Sequence, residues 1–132
     1  MRKKRIILLL FAIILSSCAQ SKQSTSANIL TVNDSGSPVT LHQGQPLSVS
    51  LWGNGSTGYI WEALPGAESI LSQQGYPQFV PDSNAVGSGG MYTFTFNAIA
   101  VGNATLQLVY HRPWESGVPP LQTFQVNVKV TN

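Results

Sequence analysis

Few side chains in this sequence could do chemistry, and their spacing argues against catalysis. His42 and His111 are the two histidines, far apart in the chain, with no Asp-x-Asp or cysteine partner beside either. A zinc site needs clustered Cys, His or carboxylate ligands, so no metal is expected. The carboxylates Asp34, Glu62, Glu68, Asp82 and Glu115 suggest no glycosidase pair. Ser56 lacks the Gly-x-Ser-x-Gly spacing of a nucleophile elbow, because Asn54 holds the first glycine's place. Gly53, Gly55 and Gly58 do spell G-x-G-x-x-G. That fingerprint needs a following helix to hold a pyrophosphate, and Tyr59-Ile60-Trp61 reads as strand. These residues point to no enzyme and no cofactor.

The unusual residues lie in three loops instead. Gly53 to Tyr59 runs Gly-Asn-Gly-Ser-Thr-Gly-Tyr, with no charge. A two-residue turn suffices for a hairpin, so this stretch is built for more. Glycine and small polar residues let bare backbone approach a partner. The second loop runs from Asp82 and ends Val86-Gly87-Ser88-Gly89-Gly90; long glycine-rich loops in compact domains are usually functional or mobile. The third holds His111-Arg112-Pro113-Trp114-Glu115, then Ser116-Gly117-Val118-Pro119-Pro120. Exposed Trp and Arg are common binding anchors, and Trp114 has little local core to enter. Trp61, at mid-strand, is read as core. Trp52, at a strand end, is left open.

The elements that must position these loops show a period of two. Leu47, Val49 and Leu51 alternate with Ser48, Ser50 and Trp52; Tyr92, Phe94, Phe96 and Ala98 with Thr93, Thr95 and Asn97. The same holds for Ala104–Tyr110 and for Phe124–Val130. Short strands are predicted at Ile29–Val32, Val39–His42 and Gln78–Val80. Tyr59–Leu64, apolar on both faces, reads as a central strand, and Gly66–Gln74 as one helical turn. Turn signals every 8–12 residues predict an all-β, immunoglobulin-like β-sandwich of about seven or eight strands. Stacking two sheets buries the apolar faces.

The 132-residue chain allows one domain, expected over 29–132. Before it, Arg2-Lys3-Lys4-Arg5 and the apolar run Ile6–Leu15 read as a secretory signal over 1–17, too short to span a bilayer as a helix. Leu15-Ser16-Ser17-Cys18 resembles a bacterial lipobox, which implies lipidation at Cys18, the chain's one cysteine. Residues 18–28 are polar and Ser-rich and read as a flexible tether. The expected address is the cell envelope, lipid-anchored outside the cytoplasm; Ala19 is compatible with an outer membrane in a Gram-negative source. After cleavage Lys22, Arg112 and Lys129 stand against five carboxylates, a net charge of 3 − 5 = −2. No basic patch remains for nucleic acid, and no disulfide is possible within a monomer.

Asn54-Gly55-Ser56-Thr57-Gly58-Tyr59 with Trp61, then Gly87-Ser88-Gly89-Gly90, then Arg112-Pro113-Trp114, occur in that order between strands. This pattern resembles the chagasin family, protein inhibitors of papain-like cysteine peptidases, over nearly all of 29–130. The resemblance implies a reversible inhibitor whose loops 54–59, 82–90 and 111–117 cluster at one end and plug the peptidase cleft. By motif position, Thr57 would face the catalytic Cys and His of the enzyme. Gly87–Gly90 would line the unprimed subsites, and Arg112 and Trp114 the primed side. The common family form has Pro where this chain has Gly55, which implies a less pre-organised first loop. Two other classes are weighed: a carbohydrate- or cell-wall-binding sandwich using Trp52 and Trp114, and a structural lipoprotein module.

Overall fold

The computed structural model describes residues 28–132. The signal, Cys18 and the tether up to Ala27 lie outside the described residues. Nine strands are present there: β1 (Asn28–Leu30), β2 (Pro38–His42), β3 (Pro46–Gly53), β4 (Ile60–Ala63), β5 (Leu71–Gln73), β6 (Gln78–Pro81), β7 (Gly90–Ala98), β8 (Gly102–His111) and β9 (Gln122–Thr131). They form two sheets. One has the order β1-β3-β7-β5, with β6 also on β7; the other has the order β2-β9-β8-β4. β1 pairs with β3 and β2 with β9 in parallel, and the remaining pairs are antiparallel.

The alternation read in the sequence decides which face is buried. Phe124, Val126, Val128 and Val130 of β9 are buried, while Thr123, Gln125, Asn127 and Lys129 between them are exposed. Leu47, Val49 and Leu51 of β3 face inward with Phe94 and Phe96 of β7, and Leu106, Leu108 and Tyr110 of β8 join the same core. Each buried side chain of this size contributes about 1.5–3 kcal/mol. With no disulfide available, this core carries the fold.

Three details differ from the sequence reading. The strand count is nine, because β5 occupies part of the stretch read as one helical turn. The turn itself is real but shorter: the Ile70 and Leu71 N–H groups donate to the Ala67 carbonyl at 3.0 and 2.7 Å. Leu71 then enters β5 as a buried residue. Strand β4 is not central but lies at the edge of its sheet, paired to β8 alone. Its apolar residues divide by face: Trp61 enters the core, and Ile60 is exposed.

The connection from β3 to β4 crosses from one sheet to the other, which is why it exceeds a hairpin turn. The loops after β3, β6 and β8 all open at the same end of the sandwich. Gly53, the last residue of β3, pairs with Gly90, the first of β7, and Gly90 pairs with Pro81 at the end of β6. Trp61 and Tyr110 pair across β4 and β8 at that same end.

Candidate functional site

An aromatic layer underlies the three loops. The Tyr110 ring stacks on Trp61 with centroids 5.1 Å apart and lies 5.2 Å from Tyr59. The Trp61 indole N–H donates to the Trp52 carbonyl at 2.9 Å. The Tyr110 hydroxyl accepts from the Asn54 N–H at 2.7 Å and stands 3.3 Å from the Asn54 carbonyl, to which it can donate. The first loop is thus bolted to the core where it begins.

Within that loop Asn54 works as the N-cap of a single 3₁₀ turn, Gly55–Thr57. Its Oδ1 accepts from the Ser56 N–H at 3.0 Å and from the Ser56 hydroxyl at 2.7 Å. The Thr57 hydroxyl donates to the Asn54 carbonyl at 2.6 Å. Thr57 itself is exposed. The turn ends at Gly58, whose φ of 84° is left-handed, a conformation that favours glycine. Gly55 thus lies in a turn held by side-chain bonds within the loop.

The second loop is braced against the first. Asn54 Nδ2 donates to the Gly87 carbonyl at 3.0 Å, and the Ser56 hydroxyl lies 3.3 Å from the same oxygen. Gly89 and Gly90 are buried, whereas Ser83 to Gly87 are exposed. Of the residues expected to line a partner, Gly87 and Ser88 lie toward the tip, while Gly89 and Gly90 belong to the stem. Val86, fully exposed at this tip, was missed by the sequence reading. Its signal was available: an aliphatic residue in an otherwise small and polar loop.

The third loop leans on the first from the other flank. Arg112 Nε donates to the Thr57 carbonyl at 3.1 Å, and its guanidinium stands 4.4 Å above the Tyr59 ring. A salt bridge from Nη1 to Glu115 at 3.2 Å fixes its far end. Pro113 is exposed beside it. The Trp114 indole rests on Gly58: a Cβ there would come within 2.3 Å of the ring. Even so, 68% of Trp114 remains exposed. Tyr59 is half-buried under Arg112 and serves as support.

The sites named from sequence thus divide by role. Gly55, Ser56, Thr57, Gly87 and Trp114 form the outward face. Asn54, Gly58, Tyr59 and Arg112 hold that face in shape. Among the described residues no cluster of His, Cys, Asp or Glu could hold a metal. His111 pairs with Glu62 at 2.7 Å on the outside of the sheet.

Residues 40–128 match the family model described as chagasin family peptidase inhibitor I42. The chain belongs to the chagasin family. Among relatives, amoebiasin-2 of Entamoeba histolytica is 31% identical over 110 residues, covering 81% of this chain and 89% of its own length. Chagasin of Trypanosoma cruzi is 27% identical over 104 residues, covering 76% and 94%. The crystal structure of EhICP2, a cysteine protease inhibitor from Entamoeba histolytica, shares the fold. Its TM-score is 0.67 at 24% identity, covering 80% of this chain and 95% of that one. This is a family of peptidase inhibitors and not of enzymes.

Proposed function

We propose that this chain reversibly inhibits papain-like cysteine peptidases by inserting its three-loop end into the active-site cleft. The observation that carries the reading is the bracing of the loops into one unit, through Asn54 to Gly87 and Arg112 to Thr57. A cleft-plugging inhibitor must present backbone and small side chains to the nucleophile without relaxing into a cleavable segment. A loop held by its own side chains and by both neighbours does this. Pre-organisation also lowers the ordering cost of binding, and protease–inhibitor interfaces typically form with little backbone movement.

In this reading Thr57 stands at the centre of the wedge, opposite the catalytic Cys and His of the enzyme. The Val86–Ser88 tip enters the unprimed side, where Val86 supplies the apolar contact. Trp114 packs on the primed side and adds the largest apolar area. Cys18 carries the lipid and attaches the domain to the cell envelope outside the cytoplasm.

The test is inhibition of papain, with a serine peptidase and a metallopeptidase as controls. Papain alone should be inhibited, and activity should return on dilution. Equal inhibition of all three enzymes, or of none, would sink the reading. For the anchor, Cys18→Ser should abolish lipid labelling and release the protein from membranes. A wild-type protein that fractionates as soluble, with no lipid mass shift, would contradict it.

A further inference from the structure

Trp52 stands outside the three loops, and the wedge just described gives it no role. It is the last outward-facing residue of β3, opposite Met91 of β7, and about half of it is exposed. Its indole N–H donates to Asp82 Oδ2 at 2.7 Å. The ring lies close enough to Gly89 that a Cβ there would come within 2.3 Å of it. Asp82 and Gly89 are the two sides of the second loop's neck, closed by the Asp82 N–H donating to the Gly89 carbonyl at 2.9 Å. One side chain therefore grips both sides of that neck.

Two residues further on, Asn54 holds the Gly87 carbonyl near the tip. The end of β3 thus fixes the second loop at two heights, neck and tip. Bonds internal to the loop set its shape but not its angle to the first loop: Ser83 N–H donates to Ser88 Oγ at 3.2 Å, and Ser88 N–H to the Ala85 carbonyl at 3.1 Å. The exposed part of Trp52 faces out from the sheet, beside the hydroxyls of Ser50 and Thr93, which bond each other at 2.8 Å.

We propose that Trp52 is a positioning residue for peptidase binding: through Asp82 and Gly89 it sets the angle at which the second loop stands beside the first, without itself touching the peptidase. This rests on the inhibitor reading. The rival role is a direct contact between the exposed indole and the enzyme, and a double-mutant cycle separates the two.

Trp52→Ala is measured in the full chain and in a chain lacking residues 84–87. Acting through the loop, the substitution should weaken papain inhibition about tenfold in the full chain and under about twofold in the shortened one. Equal losses in both would mean direct contact and would overturn the proposal. Trp52→Phe, which keeps a ring on Gly89 and loses the N–H, should fall between wild type and Ala. Amide exchange in the free protein reads the grip without any peptidase. Exchange at Asp82, Ser83 and Ser88 should quicken in Trp52→Ala while the β8 and β9 amides stay protected; unchanged exchange at all three would overturn the proposal. If the wild-type chain inhibits no papain-like enzyme, the inhibitor reading and this role in it both fail, and quicker exchange would show that only the grip survives.

Discussion

Thr57, Arg112 and Trp114 look alike as candidate contacts in the sequence, but the structure gives them different work. Trp114 is the large exposed side chain, so Trp114→Ala should cost at least about 2 kcal/mol of affinity, roughly 30-fold, typical of an interface tryptophan. Thermal melting should barely move, because the ring covers Gly58 and enters no core. A much lower melt with unchanged inhibition would make Trp114 a structural residue. Thr57→Val should cost about 1 kcal/mol, the worth of one hydroxyl bond to the Asn54 carbonyl, whereas Thr57→Ser, which keeps that bond, should cost less. Arg112→Lys should lose affinity against enzymes of differing rim charge alike, because lysine lacks the fork that holds Thr57 and Glu115 together. An effect that tracked rim charge would return Arg112 to the contact surface. The motif located all three residues. It could not show that Arg112 also bonds the first loop, because its acceptor lies 55 residues away and is set by how two loops meet.

At the scale of the elements, long alternating runs were legible because each strand buries one face: β3, β7, β8 and β9 fall where the pattern puts them. β5 was not legible, since three residues are too few to show a period and a genuine turn precedes them. The edge position of β4 was hidden for another reason. Trp61 is buried under the loops and Ile60 is left exposed, so an apolar strand resembled one covered on both faces. The second loop was located correctly, but its stem and tip were not distinguished, because glycine reads the same whether buried or exposed. Gly58 joins two elements, ending the 3₁₀ turn and seating Trp114. Gly58→Ala should therefore strain the left-handed backbone and also displace the indole. We expect at least a tenfold loss of inhibition with a drop of only a few degrees in melting temperature. Retained inhibition would show that the turn and the Trp114 seat are not needed together.

For the whole molecule, the two ends of the sandwich are distinct. Asn28 pairs with Leu47, six residues along β3 from Gly53 at the loop end, a distance of about 20 Å at strand rise. The chain thus enters the domain at the pole opposite the wedge. If Cys18 is lipidated, as we propose, the ten residues to Asn28 span at most about 35 Å, and the loops lie at the pole opposite the attachment. Lipidated protein in vesicles should then inhibit soluble papain within about threefold of the isolated 28–132 domain, well under the tenfold that 1.4 kcal/mol represents. A loss of tenfold or more would mean that the membrane covers the wedge. Alternation made the two-sheet class legible in the sequence, whereas the clustering of the loops was implied only by the family resemblance. Which pole receives the chain follows from the parallel pairing of β1, which no residue pattern announces.

The central claim, that the braced loops fill a papain-like active-site cleft without being consumed, is tested most directly by papain inhibition over a range of substrate concentrations, with the inhibitor recovered afterwards. The apparent inhibition constant should rise linearly with substrate concentration, and the recovered chain should be intact between Asn54 and Tyr59. An inhibition constant indifferent to substrate would place the contact outside the cleft, and a chain cut within 54–59 in step with returning activity would make it a slow substrate.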